Sequence, residues 1–462
     1  MKHKKTKLAA AVLAASMCMF SAAAVATNGY FTHGVGAQSK GMAGTGIGSN
    51  ANMGPIIAAS NPALAVFAGD DWEVGLSIFS PRRTYVASSS LANGQGGAFT
   101  LGEGEYDSGS EWFPIPYVAK NWRLANDRAL TFVFYGRGGM NTDWDDPNIT
   151  ATFDPDTPLG PAPVTTFPGV YGAGKAGVDF AQAFLTLNYA GKVSDKFAWG
   201  IGPVFAIQSF EALGLGAVAP FSFAPFTKTF NTGGFPSALS DNGHEIATGF
   251  GLSAGLWWGL SDAVSLGLAY QSKFSMSEFD DYADLFAEDG GFDIPSSLKF
   301  GLSFKTSDAL RINFDIEHTR FGEVDSVGNP MANLVACPWL GGSDVESCLG
   351  GANGGGFGWE DMTTYKLGAE WQASQDYIWR FGYSYGEQPI QGADVLFNIL
   401  APGVMEQHFT VGLTMVRPDA GDWTFSFMFA PENSVTGPNM FDPTQTVELK
   451  MNQLEFEFGF RW

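Results

Sequence analysis

The side chains able to make or break bonds are few and badly placed for it. The five histidines are scattered, and nothing around His318 or His408 supports a serine–histidine pair. No H-E-x-x-H, Walker or dinucleotide-binding pattern occurs. Gly34 and Gly36 follow no strand, which a dinucleotide fingerprint requires. Asp280, Asp281, Asp284, Glu288 and Asp289 cluster in a run that suits a solvated acidic loop better than a divalent-ion cage. Cys337 and Cys348 have ten residues between them and no histidine beside them. In an exported chain a disulfide is expected there rather than a metal site, and closing so short a loop is worth about 3 kcal/mol. Neither an enzyme nor a cofactor is expected. The formal charge of −22 excludes nucleic acid as a partner.

The binding chemistry on offer is apolar. Between 212 and 236, Leu213, Leu215, Val218, Phe221, Phe223, Phe226 and Phe230 are too many apolar groups for a solvated loop. Leu130, Phe132 and Phe134 alternate with polar neighbours until Gly136-Arg137-Gly138-Gly139 breaks the pattern, which marks a bulge, a bend or a close backbone approach. Arg311 and Arg380 have inward parity on their strands. An internal salt-bridge lattice with Asp315, Glu317 or Glu370 is the favoured use of them, with an anionic ligand group as the alternative.

These residues need a scaffold, and the scaffold reads as strands. Residues 1–26 have the parts of a signal peptide: Lys2, Lys4, Lys5 and Lys7, then an apolar stretch, then Ala24-Val25-Ala26 as a cleavage site. No later stretch nears the ~20 apolar residues of a spanning helix. Instead, apolar and polar residues alternate. Leu310, Ile312, Phe314 and Ile316 share one face while Arg311, Asn313, Asp315 and Glu317 share the other, and Phe425, Phe427 and Phe429 alternate likewise. Charges in mid-strand on one face, with aromatics on the other, fit lipid outside and polar packing inside. Short connections near 124–128, 193–196, 260–262, 306–308, 373–376 and 417–422 alternate with long ones near 87–112, 146–175, 212–243, 279–292, 322–358, 386–407 and 431–445. Seven long and six short links join fourteen antiparallel strands into an all-β transmembrane barrel over 71–462. One fault interrupts the last strand: Val447, Leu449 and Met451 are out of phase with Leu454, Phe456 and Phe458. The expected cause is a bulge near Asn452 or Gln453, or a strand top that leaves the membrane.

The segment 27–70 is too apolar for a linker and too rich in glycine for a free helix, with eight glycines by Gly54 and Asn61-Pro62-Ala63 near its end. A leader, this glycine-rich segment (Gly34, Gly36, Gly41, then Met42-Ala43-Gly44), the NPA triplet and fourteen strands ending in Trp462 resemble the FadL family. These are outer-membrane transporters of long-chain fatty acids and other hydrophobic compounds, including aromatic hydrocarbons. The resemblance implies that 27–70 is a hatch inside the barrel, anchored through Asn61, Pro62 and Ala63, with Tyr30 and Phe31 at a hydrophobic pocket. It implies a hydrophobic groove in the outer loops, where Leu213, Leu215, Phe221, Phe223 and Phe226 fall. It also implies a lateral opening where the third strand kinks, at Gly136, Arg137, Gly138 and Gly139. Fatty-acid members meet the carboxylate with basic residues. The fifth strand here has none from Val204 to Phe210, which leaves Arg380 as a candidate and an uncharged substrate open. The expected partners are a hydrophobic ligand, outer-membrane lipid and the assembly machinery that reads a terminal aromatic. The expected form is a monomer in the bacterial outer membrane. The alternatives are a general porin and a surface adhesin or receptor barrel.

Overall fold

The computed structural model describes residues 27–154, 163–222 and 238–462; the expected signal peptide lies outside them. Fourteen long strands dominate. They are β1 (Trp72–Ala87), β2 (Phe113–Leu124), β3 (Arg128–Trp144), β4 (Ala176–Ser194), β5 (Phe197–Leu213), β6 (Glu245–Gly259) and β7 (Val264–Gln271), followed by β8 (Ser297–Lys305), β9 (Leu310–Thr319), β10 (Met362–Gln372), β11 (Tyr377–Gly386), β12 (Gln407–Met415), β13 (Asp422–Asn439) and β14 (Asp442–Arg461). Each pairs antiparallel with the next, and β14 returns to β1 from Val447↔Ala87 to Arg461↔Glu73. The sheet is a closed barrel, so no strand edge is left to lipid along its seam.

The packing is inverted relative to a water-soluble sandwich. On β9, Asn313, Asp315 and Glu317 are buried while Ile312, Phe314 and Ile316 are half-exposed. Phe250, Leu252, Leu367, Phe381, Phe425 and Phe456 are exposed on other strands. Alternation therefore sorts polar groups inward and apolar groups outward, which suits a hydrocarbon surround.

Two expectations are corrected. The seventh long connection is not a loop: β13 and β14 stay paired up to Asn439↔Asp442, so residues 431–445 are mostly a tall hairpin. The phase fault in β14 is not a slip of that strand either. Val447, Leu449, Met451, Gln453, Glu455 and Glu457 are all buried on one continuous inward face. That face changes from polar below to apolar above, because the upper barrel interior is itself apolar. The bulge sits on the partner strand, between Ala430 and Asn433.

The segment 27–70 folds into short irregular pieces: a helical turn at Ala37–Lys40 and 3-10 turns at Pro55–Ala59 and Pro62–Val66. Inward-facing side chains from around the barrel bond to it. Asp315 on β9 accepts from the Gly46 and Ile47 amides at 2.8 and 3.1 Å. Trp257 on β6 and Ser265 on β7 donate to the Gly48 carbonyl at 3.0 and 2.7 Å. Lys366 on β10 donates to the His33 carbonyl at 2.9 Å. Lys40 pairs with Glu455 and with Glu457 on β14, the latter at 2.6 Å. Asn61 caps its own turn by accepting from Ala63 N at 3.0 Å, worth about 1 kcal/mol, and donates to Leu256 O on β6 at 3.2 Å. Glycine is required where strand backbones press on the segment. A Cβ at Gly200 or Gly267 would run into the backbone of Pro62 or Ile47.

Candidate ligand site and the freed edge of the third strand

The ladder between β2 and β3 stops at Tyr117↔Tyr135, whereas β3 stays paired with β4 up to Trp144↔Ala176. The cause lies in β2. Trp72 and Trp462 exchange both backbone hydrogen bonds, and Asn121 N donates to Asp71 O at 3.0 Å. That parity aims the nitrogens of Pro114 and Pro116 at β3, and proline has no N–H to give. At the same level Arg137 is the extra residue of a bulge, because Gly136 faces Ala183 and Gly138 faces Gln182. The bulge reverses the parity of β3, so Gly138, Met140 and Thr142 become its inward positions opposite Gln182, Phe180 and Val178. Higher up, Gly109 N donates to Asp143 O at 2.8 Å. An edge of β3 between Tyr135 and Asp143 is thus freed from its neighbouring strand.

The N-terminal tip occupies that edge. Thr27 and Asn28 pair with Thr32 and Phe31 as a minute hairpin. Phe31 bridges to Gly138, and Gly139 N donates to Tyr30 O at 3.0 Å. Tyr30 is fully buried, its ring 5.2 to 6.2 Å from those of Phe180, Phe292, Phe321 and Trp359. The Arg137 guanidinium lies 4.7 Å above the Phe31 ring, a cation–π contact. Arg137 also reaches Glu317 at 3.5 Å and donates to Gln271. Glu317 is shared with Lys299 at 2.9 Å and Lys366 at 2.7 Å.

Three cavities lie at the tip or near its aromatic cage. One lies under the outer loops and is lined by Phe210, Leu215, Val218, Phe286, Leu349 and Phe397 among others. A second borders Gly29, Tyr30, Gly139, Met140 and Trp359 at the freed edge. A third lies deeper, with Arg137, Lys299, Gln271 and Ser297 in its wall. The Cys337–Cys348 disulfide ties the long loop that places Leu349 in the first cavity.

The structure therefore gathers some of the residues singled out from sequence and separates others. Tyr30, Phe31 and Gly136 to Gly139 come together at one place. Leu215 lines the outer cavity, whereas Leu213 closes β5 beside it. Phe221 belongs to the turn Gly216–Phe221, and Phe223 and Phe226 lie outside the described residues. Arg380 lines none of the three cavities. It is buried under the segment 27–70, bonded to Glu370 at 2.8 Å, Thr414 at 2.6 Å and Gln38 at 3.3 Å. Sequence reasoning missed Pro114 and Pro116, whose alternation inside a strand is the local sign of a free edge. It also missed the aromatic cage of Phe180, Phe292, Phe321 and Trp359, drawn from three regions of the chain that no local pattern connects.

The family model described as outer membrane protein transport protein (OMPP1/FadL/TodX) matches residues 163–457. Among solved structures, the P. putida toluene transporter TodX is similar at 17% identity and a TM-score of 0.61, over 93% of this chain and 98% of that one. A Pseudomonas aeruginosa FadL homologue is similar at 16% identity and a TM-score of 0.57, over 94% of this chain and 98% of that one. The Ralstonia pickettii toluene transporter TbuX follows at 15% identity and 0.51, over 93% and 99%. At these identities the structural likeness speaks for the fold alone. No curated protein matches in sequence. On the family match, which spans more than half of the chain, this protein belongs to the FadL/TodX family of outer-membrane β-barrel transporters of hydrophobic compounds, which are channel-like proteins and not enzymes.

Proposed function

We propose that this barrel passes hydrophobic molecules from the outer surface sideways into the membrane, with residues 27–70 as its hatch. The outer cavity collects the ligand, since burying apolar groups there is worth about 0.8 kcal/mol per CH₂. The ligand then competes with the tip, Tyr30 and Phe31, for the aromatic cage beneath. Displacing the tip uncovers the β3 edge at Gly136 to Gly139, and the ligand leaves between β2 and β3. The sequence holds no Walker pattern, and the concentration gradient drives transfer. Asn61-Pro62-Ala63 holds the base of the hatch while the tip moves, and the chain acts as a monomer.

The observation that carries this reading is the β2–β3 ladder, which ends at Tyr117↔Tyr135 and is replaced there by the tip's bridge to Gly138. A short hairpin is a weak closure, because it adds one bridge and one hydrogen bond where a strand would add a ladder. The test compares a deletion strain with cells carrying wild type or Gly138→Val for uptake of radiolabelled toluene and oleate. A side chain at Gly138 would push against the Gln182 amide and Tyr30 and fill the opening. Uptake is expected to fall at least tenfold in the variant, with gel mobility of unheated protein unchanged. Undiminished uptake would refute the lateral route, and normal uptake of both probes by the deletion strain would refute transport.

A further inference from the structure

Between the apolar outer cavity and the deeper one, β4 and β5 present one polar rung. Gln182 and Gln208 are direct cross-strand partners, both on the inward face and both fully buried. Along the same face Val178, Phe180 and Phe210 lie above and Phe184 and Ala206 lie directly below, so the rung has apolar neighbours on both sides before the face turns polar again at Thr186. Apart from the approach of the Tyr30 hydroxyl to Gln182, the side-chain amide atoms Nε2 and Oε1 of both glutamines find no partner at hydrogen-bond distance and angle among the described residues. The Tyr30 hydroxyl lies beside the Gln182 amide and interacts with it, so the seated tip already presents a phenol to this rung. Leaving buried amides unsatisfied is costly, and native structures keep few such groups without a use.

We infer that the site takes hydrophobic compounds bearing a hydroxyl group, alcohols or phenols, and reads the hydroxyl with Gln182 and Gln208. The inference deepens the transport reading and rests on it. A hydroxyl donates one hydrogen bond and accepts others, so it satisfies an amide Oε1 and an amide Nε2 together. A hydrocarbon leaves all four atoms unmatched. A carboxylate only accepts, so it can use the Nε2 donors but leaves both Oε1 atoms unmatched. The apolar body of the ligand fits the outer cavity above the rung, lined by Phe210, Leu215 and Phe286. Tyr30, itself a phenol, holds the neighbouring aromatic cage when no ligand is present. A site with donors and acceptors placed for a hydroxyl discriminates strongly against the analogue that lacks it.

The test is calorimetric titration of the purified mature protein in detergent with toluene, p-cresol and p-toluate, subtracting heats from protein-free micelles. p-Cresol is expected to bind at least tenfold more tightly than toluene. The double variant Gln182→Leu/Gln208→Leu is expected to erase that preference while still binding toluene. The single variants, checked for folding by the mobility of unheated protein, should each lose part of it. Equal affinity for p-cresol and toluene, tightest binding of p-toluate, or full preference in both single variants would each overturn the inference and leave transport of hydrophobic compounds standing. Failure of all three probes to bind would overturn both.

Discussion

Alanine at Gly29 is predicted to raise the affinity of the barrel for its ligand without adding a single contact to it. Gly29 turns the tip hairpin at φ +65°, and a Cβ there would run into the Phe321 ring. The left-handed conformation costs an L-residue about 1–2 kcal/mol, before any cost of moving Phe321. If tip and ligand exclude each other from the cage, that penalty falls on the tip-seated state alone. At about 1.4 kcal/mol per tenfold, the ratio of seated to unseated tips drops by roughly 5- to 30-fold, and the apparent dissociation constant for toluene falls by up to that factor. The assay is calorimetric titration of wild type and Gly29→Ala in the same detergent. Gly96→Ala is the control, because Gly96 has φ +69° in an outer loop with open space around it, so it carries a similar backbone cost away from the cage. Unchanged or weaker binding in Gly29→Ala would refute competition between tip and ligand. Equal tightening in Gly96→Ala would trace the effect to general loosening.

Three further outcomes are expected. Lys40→Met leaves Glu455 and Glu457 buried without their cation, a loss of about 3–5 kcal/mol; it should loosen the segment 27–70 and raise ion leak across planar bilayers, and a wild-type baseline current would count against the latch. Cys337→Ser/Cys348→Ser removes the 337–348 cross-link inside the 320–361 loop, worth about 3 kcal/mol, and should weaken toluene binding while the barrel's thermal transition stays put; unaltered affinity would show that Leu349 needs no such tether. His33 is held well below its ordinary value by burial and then by the charges of Lys40 and Lys366. The undocked segment therefore takes the proton first as pH falls below about 6.5, so docking is fully stable above that pH and weakens by at most about 1.4 kcal/mol per pH unit below it. Hydrogen exchange across residues 28–40 should be faster at pH 5 than extrapolation from pH 7 gives, and matching protection would refute the shift.

Strand face is a local property, and that is why much of the barrel was legible in the chain. Whether Asp315 or Ile316 turns inward follows from a period of two, and the short and long links count the strands. The alternation could not say what an inward face would meet. Val447, Leu449 and Met451 read as a slip in register only against a uniformly polar interior. Folded, β14 keeps one parity and crosses from a polar interior to an apolar one. The 431–445 stretch looked like a loop because Pro431, Asn433 and Gly437 argue for one, yet cross-strand pairing with β14 carries the hairpin through it.

The candidate site divides the same way. By itself the sequence determined a fourteen-stranded, lipid-facing barrel, a small-residue segment needing enclosure, and a glycine break in the third strand. Each is written in neighbouring residues, where period, turn and backbone freedom act. Only the tertiary structure decided that the break faces an undonating β2, that Phe31 docks on Gly138, that Arg380 pairs with Glu370, and that Gln182 meets Gln208 across a rung. Those facts depend on which distant segments closure of the sheet brings side by side. Two glutamines 26 positions apart in sequence become one polar feature only when β4 and β5 are in register.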